Sequence, residues 1–175
     1  YHGYLTKEYR SGESSRAEKW EMCRGLGLSF GYNQMENESN AISKRDLIDL
    51  LVATVANNGN LLINVGPKAD GTIPDWQEDR LLALGQWLEI NGEAIYGTHI
   101  CGRESTQAVP CDIHFVEKGK NRYILLTKVP QDGFSVFIPR FDAQLTPLDP
   151  RVKASCKPEA DGCVLTVEGR EDPYA

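Results

Sequence analysis

Residues 20–36 read WEMCRGLGLSFGYNQME. Leu26, Leu28 and Phe30 alternate with small residues, a period of two that predicts a strand whose close-packed face carries little side-chain bulk. Tyr32 and Asn33 end it, and Glu36 follows in a loop. Arg24 at the entrance of a strand and a carboxylate just past its exit have the layout of a site at the mouth of an α/β scaffold. The plainer alternative is an arginine at a strand start and a glutamate in a solvated loop.

Downstream, Ser43-Lys44-Arg45-Asp46 has the form of a capping box with Asp in place of Glu. Leu47, Leu50, Leu51, Thr54 and Val55 follow at helical spacing, and Asn57-Asn58-Gly59 stops the helix. The run Leu61-Leu62-Ile63-Asn64-Val65 is short, apolar and bounded by Gly and Pro, which predicts a strand buried on both faces. Lys68-Ala69-Asp70-Gly71 reads as a turn. Pro74 and Asp75 then open a second helix, with Leu81, Leu84, Trp87 and Leu88 as its buried stripe and Asn91-Gly92 as its end. Residues 24–91 are therefore expected as strand, helix, strand, helix.

Beyond about residue 102 the texture changes. Val109-Pro110 marks a break. Short strand-like runs at 113–116, 123–127, 134–138, 152–156 and 163–167 alternate with Gly, Pro, Asp and Lys turns, the signature of a small antiparallel sandwich. Two βα units followed by an all-β tail divide the chain into residues 1–101 and 102–175, with the boundary between Thr98 and Arg103. Two such units cannot close a barrel of eight. The sheet is either small and doubly wound or the last part of a barrel with strands upstream. The start at Tyr1-His2-Gly3-Tyr4, without an initiator Met or signal-peptide pattern, favours the second reading and implies a cut inside a longer protein. Localisation is left unassigned.

Composition sets the outer limits. The chain has 175 residues, 41% hydrophobic and 25% charged, an ordinary globular balance. A net charge of −6 without a basic stripe argues against nucleic-acid binding. No apolar stretch approaches the roughly 20 residues of a membrane span. Five cysteines leave at least one unpaired within the chain. Cys156 and Cys163 flank a turn-like stretch and could face each other across a hairpin, as a disulfide or as two thiols. His2, His99 and His114 lack metal-ligand spacing, so neither a metal nor a cofactor is expected. Asn37-Glu38-Ser39 fits the N-glycosylation pattern, which has meaning only in a secreted protein.

Gly27-Leu28-Ser29-Phe30-Gly31 fits the GxSxG nucleophile elbow, and Asp70 or Asp75 and then His99 or His114 follow in hydrolase order. The elbow needs a strand just before it and a helix just after, and the next helix signal starts only at Ser43. Gly25, Gly27 and Gly31 do not make a dinucleotide fingerprint, and the segment 64–71 lacks the end of a phosphate loop. Asn64, where a strand runs into a βα loop, is a candidate pocket residue. Glu36 and Glu38 are the candidate carboxylates for glycoside hydrolysis, which needs a pair.

Three motifs in register, WEMCRGLGLSFGYN, GNLLINVGPKADGTIP and LLALGQWLEINGEAIYGT, resemble the α-L-fucosidases of glycoside hydrolase family twenty-nine. The likeness runs from Tyr1 to Thr98, and the remainder is similar in kind to that family's C-terminal β-sandwich. The resemblance implies an α/β fold: the C-terminal part of a (β/α) TIM-like barrel followed by an antiparallel β-sandwich. It implies removal of terminal α-linked L-fucose with retention, by an aspartate nucleophile and a second carboxyl group acting as acid and then base. Counting three residues past Asn33 in the FGYN pattern puts the acid/base at Glu36, with Glu38 as a second candidate. Arg24 takes the place of an arginine that contacts fucose or the nucleophile's surroundings. The nucleophile and the rest of the fucose pocket are expected from a segment upstream of Tyr1 or a complementary chain, so this chain alone is expected to be inactive. The implied partner is a fucosylated glycan. A non-catalytic carbohydrate-binding or structural fragment and a serine hydrolase built on Ser29 are the rival readings.

Overall fold

The structure is a computed structural model that describes residues 5–9, 18–102, 106–108, 111–141 and 144–174. The readings made at Tyr1-His2-Gly3-Tyr4, at Val109-Pro110 and at Arg103 lie outside these residues. The described chain is mixed α/β.

The first half is a three-stranded parallel sheet in the order β1 (Leu5–Glu8), β2 (Trp20–Gly25), β3 (Gly59–Asn64). Met22 sits between Lys7 and Leu61 in its register. Helix α1 (Lys44–Ala56) joins β2 to β3, and α2 (Asp75–Asn91) follows β3. The first strand therefore lies earlier than the alternation at Leu26, Leu28 and Phe30 predicts. Those three do not share a buried face: Leu26 is 1% exposed and Leu28 74%. The buried alternation is instead Trp20 and Met22. Arg24 consequently stands at the exit of a strand, where the sequence reading puts it at the entrance. Trp20 fixes β2 to its neighbours by donating its indole N–H to the Asn57 carbonyl at 2.8 Å. Its ring fills the space above Gly59, where a Cβ would meet it at 2.6 Å.

Strand β3 is covered on one face only, against the expectation of two. Leu61 packs on the helices, while Leu62 is 50% exposed. Glu8, level with Leu62 through Cys23, and Asn60 point to the same face and are exposed too. The helices form where expected. Ser43 Oγ accepts the Asp46 N–H at 3.0 Å and donates to the Asp46 carboxylate at 2.7 Å, a cap of about 1 kcal/mol. Asn58 stops α1 by adopting φ 66°, left-handed backbone that asparagine tolerates better than most residues. The buried stripe of α1 is Leu47, Ile48, Leu51, Val52 and Thr54. Helix α2 buries Gln77, Arg80 and Ala83, with Leu84, Trp87 and Leu88 half-buried against the core.

The second half contains two antiparallel sheets. In one, β4 (His99–Ile100) and β5 (Thr106–Ala108) pair with successive stretches of β6 (Cys111–Lys118), and β7 (Asn121–Thr127) pairs with its other side. The other has the order β8 (Gly133–Pro139), β10 (Gly162–Glu168), β9 (Ala154–Glu159). Cys111, Ile113 and Phe115 of β6 meet Ile138, Cys163, Leu165 and Val167 in a shared apolar cluster. Val116, together with Tyr123 and Leu125 of β7, packs instead with Leu51, Val52 and Ala56 of α1. Strand β6 is thus buried on both sides, by the second sheet and by α1. Cys156 and Cys163 are joined as a disulfide across the β9–β10 hairpin, and Cys23, Cys101 and Cys111 are free thiols. Burial and the neighbouring Asp112 push the Cys111 thiol up to about 11.

The last described residues return to the helices. Tyr174 is buried against Ile48 and Ala83. Arg45 of α1 grips the Asp172 carboxylate with both ends of its fork and lies 5.8 Å from the Tyr174 ring centre.

Candidate functional site

Parallel strands gather their following loops at one end of the sheet, and here Arg24 and Glu36 both belong to that end. The ladder continues briefly past the strands: Tyr9 donates its N–H to the Cys23 carbonyl at 3.2 Å, and Leu26 donates to Asn64 at 3.3 Å. Gly25 donates its N–H to the Tyr9 hydroxyl at 3.0 Å. The Arg24 guanidinium lies 5.4 Å from the Tyr9 ring centre, a cation–π distance, and its Nε donates to the Gly25 carbonyl at 3.0 Å. Tyr9 in turn meets Phe30 edge to face at 5.2 Å. Arg24 is thus immobilised on an aromatic pair at the exit of β2. By strand alternation it shares the face of Trp20 and Met22.

Glu36 reaches the same exit from a long loop. Asn33 organises that loop by taking the Met35 N–H on Oδ1 at 3.0 Å and donating from Nδ2 to Ser29 Oγ at 3.0 Å, while its carbonyl accepts the Glu36 N–H at 3.1 Å. The half-buried Glu36 side chain then folds back over Gly27. The Leu28 N–H donates to Oε1 at 2.9 Å. Oε2 takes no hydrogen bond from a described residue. Gly27 is required there, because a Cβ on it would stand 2.0 Å from Oε2. Across the loop, Asn64 donates from Nδ2 to the Phe30 carbonyl. A Cβ on Gly66 would meet the Gly31 backbone at 2.6 Å. Asn64 therefore clamps the loop from β3.

Glu38 does different work. It opens a 3-10 turn, Glu38–Asn40, and its side chain is 76% exposed. It pairs at 3.3 Å with Arg80 Nη1, whose own side chain is 6% exposed. Arg80 also donates to the Ile42 carbonyl at 3.1 Å and to Asp79 at 2.8 Å, while the Ile42 N–H donates to the Leu26 carbonyl at 3.0 Å. One buried guanidinium on α2 thereby pins both ends of the segment that follows Glu36.

Glu36 and Glu38 line an open cleft of about 730 Å³ together with Tyr32, Lys44, Lys68, Pro74, Asp75, Trp76 and Asp79. Aromatic rings beside carboxylates and ammonium groups suit a polar ligand with apolar faces. On the wall of the cleft, Lys44 and then Arg80 hold the Asp79 carboxyl below the usual carboxylate range. Among the described residues no group of three or more His, Cys, Asp or Glu is placed to hold a metal ion. No described helix is long and apolar enough to cross a membrane.

The hydrolase elbow does not assemble. Strand β2 does precede Ser29, but no α-helix begins between Ser29 and Lys44. Ser29 Oγ is engaged by Asn33, and His114 is buried in the antiparallel half with Nε2 3.1 Å from Thr127 Oγ1. Sequence reading missed the roles of Tyr9 and Arg80. Nothing in the local pattern marks Arg80, since an arginine on an amphipathic helix reads as a solvated residue.

Residues 2–93 match the family model described as alpha-L-fucosidase. An alpha-L-fucosidase of Dictyostelium discoideum is 48% identical over 120 residues, which are 67% of this chain and 25% of that protein. The plasma alpha-L-fucosidase of Homo sapiens is 40% identical over 118 residues, 66% of this chain and 25% of that protein. The chain thus spans about a quarter of the length of the curated relatives it matches. Among solved structures, the alpha-fucosidase of Thermotoga maritima in complex with a mechanism-based inhibitor superposes with a TM-score of 0.75. It shares 37% identity over 94% of this chain and 38% of that one.

Proposed function

This chain belongs to the alpha-L-fucosidase family, and on that premise we propose that it supplies the acid/base half of the active site of a retaining α-L-fucosidase. Residues 1–101 form the C-terminal part of the catalytic barrel, and residues 102–175 form its β-sandwich. The substrate is a glycan ending in α-linked L-fucose.

The observation that carries the assignment is the Glu36 carboxylate at the exit of a parallel strand, fixed through Oε1 by the Leu28 N–H on the lip of a cleft. A general acid must present one oxygen to the glycosidic oxygen in a set direction. Anchoring Oε1 leaves Oε2 for that proton. Glu36 first donates it as the leaving group departs. It then takes a proton from the water that attacks the fucosyl-enzyme, as retention requires. The nucleophilic aspartate comes from outside this chain, roughly 5–5.5 Å from the acid/base in a retaining enzyme. Arg24 serves the fucose pocket from its seat on Tyr9. The segment carrying the nucleophile is the chain's protein partner, and neither nucleic acid nor membrane is one.

Substitution of Glu36 by Ala tests this in the assembled enzyme. Turnover of natural fucosides should fall by about 10²–10⁴-fold, the range for loss of a general acid. Fucosides with a nitrophenolate leaving group should lose far less in the first step. Equal loss on both substrate types removes Glu36 from the role. The chain by itself should release no nitrophenol, and a complementary chain with the nucleophile should restore activity.

A further inference from the structure

Asn37-Glu38-Ser39 is the one Asn-x-Ser/Thr triplet in the sequence, and the proposed chemistry makes no use of Asn37. Such a triplet is common by chance and has meaning only in a chain that passes through an oxidising secretory compartment. The Cys156–Cys163 disulfide in the antiparallel half is consistent with that condition. Disulfides persist in oxidising compartments and are rare where cytosolic reductants act on thiols.

Local geometry adds an independent argument. Asn37 is exposed. Its Oδ1 accepts the Ser39 N–H at 2.9 Å and the Ser39 hydroxyl at 2.6 Å, while Nδ2 donates to no described residue. Asn40 Oδ1 accepts the Asn37 N–H at 2.9 Å. These bonds run within residues 37–40, and Asn40 Nδ2 adds one to the nearby Met35 carbonyl at 3.1 Å, so the turn is available to a nascent chain before the Glu38–Arg80 pair or any other long-range contact forms. A hydroxyl on Oδ1 polarises the amide and eases loss of a proton from Nδ2. The finished fold leaves Nδ2 in solvent, so a large substituent there displaces no packed group.

We propose that Asn37 is an N-glycosylation acceptor. Nδ2 attacks the anomeric carbon of a polyprenyl-pyrophosphate-linked oligosaccharide. A C–N bond forms as the bond from that carbon to the pyrophosphate oxygen breaks. The pyrophosphate leaves with the electron pair, and Nδ2 gives one proton to a base of the transferase. The glycan then stands one residue from Glu36 at the lip of the cleft. This assignment is independent of the catalytic role of Glu36.

The test is peptide mapping of the protein made through a eukaryotic secretory pathway, before and after treatment with an amidase that cuts N-glycans from asparagine. The peptide containing Asn37 should carry a glycan mass, and the amidase should leave aspartate at position 37. Ser39→Ala should abolish the mass shift and Ser39→Thr should retain it. An unmodified Asn37 peptide in the wild-type protein, or a shift that survives Ser39→Ala, overturns the assignment. The same peptide is read from the intracellular pool, so poor secretion of a variant leaves the result readable.

Discussion

Glu36 Oε2 occupies the space that a side chain on Gly27 would need: a Cβ there would stand only 2.0 Å from it. The atom in the way is the far end of a flexible side chain, so the backbone need not move.

Gly27→Ala should therefore leave the fold almost untouched and evict the carboxylate from the Leu28 N–H. We expect a melting temperature within a few degrees of wild type, the equivalent of under about 1 kcal/mol. Turnover of fucosides with poor leaving groups should drop by about tenfold or more, a loss of at least 1.4 kcal/mol in the transition state. Thermal melts and kinetics with paired substrates check this. Wild-type kinetics in a folded Gly27→Ala variant would show that the anchored position of Glu36 is not the working one.

Arg80→Met should loosen the segment after Glu36 without melting the core. The buried guanidinium holds Glu38 and the Ile42 carbonyl, and hydrogen bonds from a charged group contribute roughly 1.5–3 kcal/mol. Hydrogen exchange at the Ile42 amide, which bonds Leu26, should accelerate while the amide of Leu51 in α1 stays protected. Unchanged protection at Ile42 would contradict the pinning role.

Asp149 should make the protein sensitive to strong acid. It is 6% exposed and accepts hydrogen bonds from Arg151 at 2.9 Å and from Arg170 at 3.2 Å. The Arg151 hydrogen bonds, aided by the charge of Arg170, hold its carboxyl down to about 2, against an ordinary value of 3.8. A depressed folded pKa stabilises above the unfolded value, and that contribution is lost as pH falls from 3.8 toward 2. It amounts to roughly 2 kcal/mol. Asp149→Asn should lower the melting temperature at neutral pH and converge with wild type below about pH 2. Melts across that window check it, and a constant gap between the two proteins would count against the ion pairs.

Much of this architecture was legible from sequence where local chemistry is decisive. Ser43 with Asp46 and the left-handed Asn58 mark the two ends of α1, and Pro74 with Asp75 marks the start of α2. Turn glycines such as Gly119 and Gly133, both at positive φ, delimit the antiparallel strands. Strand β2 was misplaced because its central residues include Glu21 and Arg24, which hide the alternation of Trp20 and Met22. The glycine-spaced run just after it imitates a strand while serving as a loop around Glu36. Strand β1 contains Lys7 and Glu8 and a single apolar residue, too little for a periodic signal. Arg24 and Glu36 were nameable only through resemblance, since an arginine and a glutamate near a strand have an equally good solvated reading. Arg80 was invisible because its burial depends on Glu38 and Ile42, about forty positions away in the chain.

Strand β6, buried on both sides, has a consequence for recombination between relatives. A crossover placed at the apparent joint near residue 101 would separate Leu51, Val52 and Ala56 from Val116, Tyr123 and Leu125. Shuffled chimeras must then inherit both sets from one parent or be repacked along that seam. The antiparallel half is a shared wall of the building, and it cannot be exchanged as a detachable module.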